Sequence, residues 1–283
     1  MMFILLCVSC SSKTEKNTAA FLEVTDSYQR KVVLAEKPQR IISISPSVTE
    51  ILYLLQADSL LVGVSDFCNY PPQTQEKEKI GGLQNINIER IVQLKPDLVV
   101  VGSIVSRDFV RKVENLSIPI LIMNEEKGIE GVKNSISILA DIVQKKELAQ
   151  QLLAHYDSVL FQIKSNQPKE QKSVYYVVGF GEGGDFSAGG NTHIDEIITL
   201  AGGKNICGTL SGWSVNREYL FQQDPQYIFI RTEDLDRFSS MIPYTQLTAV
   251  QGKRIFPIES GWIDIVSPRN LDAITYIHQK LYE

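Results

Sequence analysis

Apolar and polar positions follow two patterns along this chain, and together these patterns predict alternating strands and helices. Short apolar runs over 40–45, 60–65, 97–102, 118–123, 174–180 and 254–258 have the length of buried strands. Between these runs, apolar residues recur at the three- or four-residue spacing of a helix face. Alternation of this kind predicts an α/β architecture, and a continuously apolar run such as DLVVVG is typical of a parallel sheet.

The pattern also repeats itself once. The segment NIERIVQLKPDLVVV over 87–101 aligns without a gap with NREYLFQQDPQYIFI over 216–230. Each copy predicts an Asn N-cap, a short helix, a turn with a proline, and a strand. One copy in each half predicts two similar lobes that face each other across a cleft, where small ligands usually bind.

A helical pattern occupies the region between the two halves. It predicts two helices over 129–143 and 145–166, the second about 33 Å long and therefore long enough to span a domain. We expect an N-terminal lobe over 21–128, bridging helices over 129–167 and a C-terminal lobe over 168–283. A rigid helix between lobes allows only modest rocking.

The first ten residues, MMFILLCVSC, are apolar and give way to a polar stretch. An apolar core, the small Ser9 and then Cys10 resemble a bacterial lipoprotein leader, which is cleaved before a lipid-bearing cysteine. We therefore predict a signal peptide over 1–9, lipidation at Cys10 and a tether over 10–20. The alternative is a frayed apolar N-terminus of a cytoplasmic protein.

Composition narrows the class of protein. Hydrophobic residues make up 43% of the 283 positions and charged residues 22%, which fits a folded globular protein. The net charge of −5 argues against a nucleic-acid partner. No apolar run reaches the roughly 18 residues of a transmembrane helix, so we expect membrane attachment through the lipid anchor only. Cys68 and Cys207, one in each half, are predicted to be free buried thiols.

Residues that could perform catalysis do not cluster in the sequence. The three histidines lie in separate segments, at His155, His193 and His278, without the spacing of a zinc site. No GxSxG elbow surrounds a serine. The glycines of GFGEGG over 179–184 are weak support for a dinucleotide site, and a flexible cleft rim explains them better. We therefore predict no enzyme, no catalytic residue, no cofactor and no metal.

Four segments carry a resemblance to a known family: 38–55, 61–73, 87–101 and SGWIDIVSPR over 260–269. They resemble the periplasmic substrate-binding proteins of iron-siderophore and vitamin B12 importers, and within that family the cobalamin-binding member. The resemblance covers nearly everything from residue 21 onward. It implies the class III arrangement of two α/β lobes with a bridging helix. It also implies delivery of the ligand, without catalysis, to the permease dimer and ATPase of an ABC importer at the periplasmic side of the cell envelope.

Aromatic residues next to predicted strand ends and glycines are the candidate ligand contacts: Phe67, Tyr70, Phe180, Phe186, Trp213 and Trp262. A large ring can lie against a flat ligand while its polar atom reaches an edge, and cobalamin offers a broad corrin with a rim of amides. For Phe180 and Phe186, packing in the core is an equally good interpretation. The resemblance adds a contact loop over Gly261, Trp262, Ile263, Asp264 and Ile265. It also places Leu83 where the cobalamin-binding relative has a cleft tryptophan.

Glu89 and Glu218 occupy equivalent places in the repeat, two residues after each Asn cap. A carboxylate at the positive end of a helix is favoured by about 0.3–1 kcal/mol, which explains such a residue without any partner. The resemblance implies a second role, in which one Glu from each lobe pairs with Arg residues of a twofold permease dimer. Asp264 is a third candidate for this contact.

Two alternatives stay open at this point. A ferric siderophore would favour convergent basic residues, for which Arg217 and Arg269 are the nearest candidates. Haem would favour an axial Tyr or His, such as Tyr70 or His193. The alternative of another class is an envelope enzyme on a similar scaffold, which would need a His and carboxylate metal cluster that the sequence does not show.

Overall fold

The computed structural model describes residues 20–123 and 128–283. The predicted signal peptide over 1–9, the lipidation site Cys10 and nearly all of the tether lie outside the described residues. Within these two ranges, no helix combines the length and apolarity needed to cross a membrane.

The first lobe begins with an antiparallel hairpin and continues as a parallel sheet. Its elements are β1 (Leu22–Thr25), β2 (Lys31–Leu34), β3 (Ile41–Ser43), α1 (Pro46–Leu54), β4 (Leu61–Val64), α2 (Ile88–Leu94), β5 (Leu98–Gly102), α3 (Arg107–Asn115) and β6 (Ile120–Met123). The sheet order is β4-β3-β5-β6, with every pair parallel. Two bridging helices follow, α4 (Gly128–Val143) and α5 (Lys146–Asn166).

The second lobe contains a sheet of the same kind and a short antiparallel ribbon. Its elements are β7 (Ser173–Val177), β8 (Asp185–Phe186), α6 (His193–Leu200), β9 (Lys204–Asn205), β10 (Ser214–Val215), α7 (Arg217–Gln223), β11 (Tyr227–Arg231), α8 (Leu235–Ser240), α9 (Thr248–Gln251), β12 (Ile255–Ile258), α10 (Ser260–Ile263) and α11 (Asn270–Tyr282). The main sheet has the order β9-β7-β11-β12, again parallel, while β8 pairs with β10.

The strand order confirms that the two lobes are alike. In each sheet, the first strand lies between the second and the third, and the fourth lies outside the third. The repeated segments form α2 with β5 and α7 with β11, so they occupy equivalent places. Asn87 and Asn216 cap the two helices through their side chains, and each helix ends at a residue with positive φ, Lys95 at 46° and Asp224 at 38°. The sequence repeat is therefore a structural repeat.

Apolar residues on both faces of each sheet explain the continuous apolar runs. Along β5, Leu98 and Val100 pack in the core that includes α1 and α4, whereas Val99 and Val101 pack in a separate core with α2 and α3. Side chains of a strand alternate between faces, so a strand covered on both sides must be apolar throughout.

The bridging helices connect the lobes by packing on both of them. Helix α4 packs against α1 of the first lobe, and α5 packs against α4 and against α6 and α11 of the second lobe. At 1.5 Å per residue, α5 is about 31 Å long. The long helix predicted over 145–166 is confirmed.

The pattern missed three short helices, α8, α9 and α10. The last of these matters most, because residues 260–263 were expected to be a loop and instead form a helical turn. A single turn is too short to show a 3.6-residue periodicity, which is why the sequence did not predict it.

Candidate functional site

A cleft between the two lobes forms a cavity of about 700 Å³. This is in the usual range of ligand pockets, roughly 300–1,000 Å³. The first lobe contributes Ile44, Ser45, Pro46, Ser47, Phe67, Leu83, Gly102, Ser103, Ile104 and Val105. The second lobe contributes Asn191, Thr192, His193, Gly212, Trp213, Asp264, Ile265 and Val266. Several of these residues directly follow the carboxyl ends of β3 and β5, where open parallel sheets usually bind ligands.

Two aromatic side chains, one from each lobe, present exposed surface to the cleft. Phe67 is 55% exposed and Trp213 is 44% exposed. Gly82 lies beneath the Phe67 ring, since a Cβ on Gly82 would lie 3.3 Å from the ring edge. The Trp213 carbonyl accepts a hydrogen bond from the Ser187 N–H at 2.9 Å. This bond holds the Trp213 backbone against the segment that follows β8. The cleft therefore has a large apolar face on each side.

Among the described residues, the wall of the cleft includes no Lys and no Arg. Its single carboxylate, Asp264, accepts hydrogen bonds from the Tyr176 hydroxyl at 2.6 Å and from Arg231 Nε at 2.7 Å. A carboxylate that is paired in this way has its charge compensated within the protein. The described wall is therefore close to electrically neutral.

His193 is the one imidazole in the described wall, at the first residue of α6. Its Nε2 lies 2.8 Å from the carbonyl oxygen of Ile263. A carbonyl can only accept, so Nε2 carries the proton and Nδ1 is left as an acceptor. Burial lowers the pKa of His193, and the imidazole is therefore neutral at pH 7.

Polar groups of the cleft are mostly hydroxyls and amides rather than charges. Ser47 and Ser103 lie on the first lobe and Asn191 and Thr192 on the second. Such groups can donate to and accept from an uncharged polar ligand. Ile104, at the end of β5, is 75% exposed within this wall. Sequence reasoning missed Ile104, although its position directly after the carboxyl end of a buried strand was a usable signal.

Of the residues predicted to contact ligand, five line the cleft: Phe67, Leu83, Trp213, Asp264 and Ile265. The other predicted contacts lie outside its wall. Phe180 packs edge-on against Phe238 and Tyr244 in the second lobe, with ring centroids 5.0 and 5.8 Å apart. Phe186 forms β8 and packs over Gly179, so it belongs to the ribbon beside the sheet.

Trp262 lies outside the cleft wall as well. Because 260–263 is helical rather than a loop, its indole packs edge-on against Tyr276 of α11, with ring centroids 6.0 Å apart. It lies in a groove between α5 and α11, away from the cleft. Ile263 is fully buried, and its contribution near the cleft is its backbone carbonyl, which His193 contacts.

Tyr70 and Gly261 also lie outside the cleft wall, and both contact the same side chain. The ring of Tyr70 stacks on the guanidinium of Arg269 at 4.1 Å. A Cβ on Gly261 would lie 2.3 Å from Arg269 Nη1. Both residues therefore enclose an arginine rather than line the cleft.

Glu89 and Glu218 lie in the first turns of α2 and α7. Both are exposed, and within the described ranges neither forms an ion pair. Each follows a cleft residue in the sequence by a few positions, Leu83 in one lobe and Trp213 in the other. Equivalent segments of the two lobes thus connect the cleft to an exposed carboxylate.

Cys68 and Cys207 are free and buried, as predicted. Burial raises the pKa of both thiols, that of Cys207 to about 11. They are therefore protonated at pH 7. No three His, Cys, Asp or Glu side chains of the described chain are grouped so that they could hold a metal ion.

Comparisons with known proteins agree with this architecture. A relative in Bacillus subtilis, named as the uncharacterized ABC transporter substrate-binding lipoprotein YvrC, is 24% identical over 96% of this chain and 89% of its own length. The vitamin B12-binding protein of Vibrio campbellii is 29% identical over 84% of this chain and 88% of its own length.

Among solved structures, the periplasmic haem-binding protein HutB of Vibrio cholerae superposes with a TM-score of 0.79 at 20% identity. The superposition covers 87% of this chain and 99% of HutB, and at this identity it shows a shared fold. The sequence profile of the family described as periplasmic binding protein matches residues 41–260, which is most of the chain. This chain belongs to the periplasmic binding protein family.

Proposed function

We propose that this protein captures cobalamin, or a closely related corrinoid, in the cleft between its lobes and delivers it to an ABC importer. The observation that carries the proposal is a neutral cleft with an exposed aromatic face on each lobe, Phe67 on one and Trp213 on the other. Relatives named as vitamin B12-binding proteins and as an ABC transporter substrate-binding lipoprotein support it.

The chemistry of a corrinoid matches the described wall. A broad ring system can lie between two aromatic faces, which favours offset stacking and buries a large apolar area. The amide groups around the corrin can exchange hydrogen bonds with the hydroxyls and amides of Ser47, Asn191 and Thr192. No charge on the ligand has to be compensated.

Anionic ligands fit the described wall less well. The two basic candidates from the sequence are both occupied elsewhere: Arg217 donates to Asp185 at 2.8 Å, and Arg269 donates to Glu50 at 2.6 Å. Neither lines the cleft. A ferric siderophore with several negative charges would therefore meet no free cation in the described wall.

Haem is the second candidate, and His193 is the observation that favours it. A neutral imidazole with an available Nδ1 can serve as an axial ligand to haem iron. Tyr70, the other axial candidate, stacks on Arg269 outside the cleft. The haem propionates would find no Lys or Arg in the described wall, which is why the corrinoid is preferred.

Delivery requires a docking surface, and we assign it to Glu89 and Glu218. These exposed carboxylates lie on equivalent helices of the two lobes, which suits a partner with twofold symmetry and basic side chains. We further propose that the protein is held at the periplasmic side of the membrane by lipid on Cys10, as the name of the lipoprotein relative suggests. The role is binding without catalysis.

Calorimetric titration of the purified protein tests the proposal. Cyanocobalamin, haem and a ferric siderophore are titrated separately into the same preparation. One-to-one binding of cyanocobalamin that is at least about tenfold tighter than binding of the other two is expected. Preference for haem, lost in His193→Ala, would replace the corrinoid by haem. Binding of the siderophore alone would contradict the assignment of a neutral cleft.

A further inference from the structure

A buried ion pair joins the two lobes beside bridging helix α5. Glu50 lies on α1 of the first lobe, and Arg269 directly precedes α11 of the second. Arg269 Nε and Nη2 donate to the two carboxylate oxygens of Glu50 at 3.0 and 2.6 Å. The side chain of Glu50 is only 3% exposed and that of Arg269 only 14%. Among the ion pairs of the described residues, it is the one that connects the N-terminal to the C-terminal lobe.

The surroundings of Arg269 fix its guanidinium in place. Tyr70 of the first lobe covers one side at 4.1 Å, as in a cation–π contact. Gly261 of the second lobe lies so close that any Cβ would clash with Nη1. A planar guanidinium that binds a carboxylate through two parallel bonds accepts a narrow range of geometries. The pair therefore holds the lobes in one relative position. A pair without this fixed geometry would attract the lobes but would not fix their position.

The pair lies close in sequence to both walls of the cleft. Residues 45–47 of the first wall form the start of α1, the helix that carries Glu50. Residues 264–266 of the second wall lead into the segment that carries Arg269. The Tyr156 hydroxyl of α5 donates to the carbonyl of Pro268, so the bridging helix holds the same segment. A shift at the pair would therefore move both walls.

We propose that Glu50 and Arg269 are a positioning pair that sets the separation of the two cleft walls, with Tyr70 and Gly261 enclosing the guanidinium. The pair itself does not line the cleft. Two of the residues predicted from the sequence as ligand contacts thus serve this pair instead. Its effect on ligand binding rests on the proposed function, whereas its effect on lobe separation does not.

The physical consequence of removing one partner is specific. Burial raises the pKa of the Glu50 carboxyl, while the hydrogen bond and charge of Arg269 act in the opposite direction. Without Arg269, the arrangement of the lobes in this structure would bury an uncompensated carboxyl, and without Glu50 it would bury an uncompensated guanidinium. In either case, separation of the lobes would give the remaining group access to water. Single variants should therefore shift the lobes toward a wider arrangement.

Distance measurements between spin labels test this directly. The full chain carrying Cys7→Ser and Cys10→Ser is labelled at Asn115→Cys in the first lobe and Gln251→Cys in the second, both of which are exposed positions. The parent protein should give one narrow distance distribution. Glu50→Gln and Arg269→Met should each broaden it or shift it to longer distances. Arg269→Lys supplies a point charge without the planar guanidinium, so its distance distribution should lie between that of the parent and that of Arg269→Met.

A matched control separates positioning from general loss of stability. Asp185→Asn removes a buried carboxylate that pairs with Arg217 within the second lobe. It should lower the melting temperature as the single variants do and leave the distance distribution unchanged. Glu50→Leu with Arg269→Met removes both charges, so the melting temperature should recover while the distribution stays broad. A narrow distribution in this folded double variant, or in either single variant, would overturn the proposal.

Binding kinetics test whether the pair also affects the ligand. For each variant, dissociation of cyanocobalamin is followed after dilution, and release about tenfold faster than from the parent is expected for Glu50→Gln and Arg269→Met. If the parent binds no cyanocobalamin, the proposed function fails and the distance arm still decides the positioning pair. If the distances change and the dissociation rate does not, the pair positions the lobes without affecting the ligand, which would contradict its role in the cleft.

Discussion

At the scale of single residues, the two tryptophans show how position decides the role of a side chain. Both follow a glycine in the sequence, and both were expected to contact ligand. Trp213 lies in the cleft wall and remains 44% exposed, whereas Trp262 packs against Tyr276 of α11. The same residue type thus belongs to the binding surface in one case and to the packing of the second lobe in the other.

Replacing the exposed aromatics should therefore weaken binding without unfolding the protein. Trp213→Ala and Phe67→Ala should each raise the Kd for cyanocobalamin by about tenfold or more, because a large ring face would lose its contact. Calorimetry gives the Kd, and thermal melting gives the stability. Trp262→Ala is the control, expected to lower the melting temperature at an unchanged Kd. The reverse pattern would put Trp262 back in the site.

His193 should make the stability of the protein depend on pH. Burial lowers its pKa from the ordinary value of 6.5, so the unfolded chain binds more protons than the folded one as pH falls below that value. The stability contributed by the neutral imidazole is thus present above pH 6.5 and is lost as pH falls through the folded pKa.

Urea unfolding between pH 8 and pH 5 measures this effect. The free energy of unfolding of the parent should fall below about pH 6.5, and His193→Gln should make the decline shallower. His155→Gln, at an exposed position on α5, is the matched control and should keep the decline of the parent. An identical decline in His193→Gln would show that other groups cause it.

At the scale of elements, much of the fold follows from periodicity and capping. The main strands and the helices of more than two turns all lie where the apolar pattern predicts them, within a few residues. Ser45 caps α1, and Pro46 occupies its first position, where a proline is favoured. The short helices α8, α9 and α10 are set by tertiary packing, because their segments offer too few residues for a period to appear.

The caps of the repeated helices can be tested as a pair. The side chain of Asn87 accepts from Arg90 N, and that of Asn216 accepts from Glu218 N. Asn87→Ala and Asn216→Ala should each lower the free energy of unfolding by about 1 kcal/mol, because each leaves a helix N–H without its acceptor. Chemical denaturation measures the change. Glycine at the same positions should cost only a few tenths of a kcal/mol, and equal losses for Ala and Gly would argue against a capping role.

At the scale of the whole molecule, the internal repeat predicted two similar lobes, but the sequence did not predict the contacts between them. Glu50 and Arg269 are 219 residues apart, and no local pattern links them. For the same reason, Tyr70 and Gly261 could not be recognised as neighbours of one guanidinium. Five of the eleven predicted ligand contacts line the cleft. Phe67 and Trp213 were predicted from their places beside a strand end and a glycine, whereas Leu83, Asp264 and Ile265 were predicted from the family resemblance.

The symmetric placement of Glu89 and Glu218 leads to a prediction about the complete transport complex. Glu89→Ala with Glu218→Ala should leave the Kd for the ligand unchanged and weaken association with the permease, because two exposed carboxylates would be lost from a twofold contact. Association is measured with permease reconstituted in nanodiscs, at low and at high salt. The loss should be larger at low salt, where charge pairing between exposed groups is least screened.

A matched double variant makes that outcome interpretable. Glu36→Ala with Glu233→Ala removes one exposed carboxylate from each lobe at places unrelated by the repeat, and so changes the net charge equally. It should associate as the parent does. If both double variants lose affinity alike, net charge rather than the two helix termini guides docking. If neither loses affinity, the permease contacts another face of the lobes, and the carboxylates at 89 and 218 serve only their own helices.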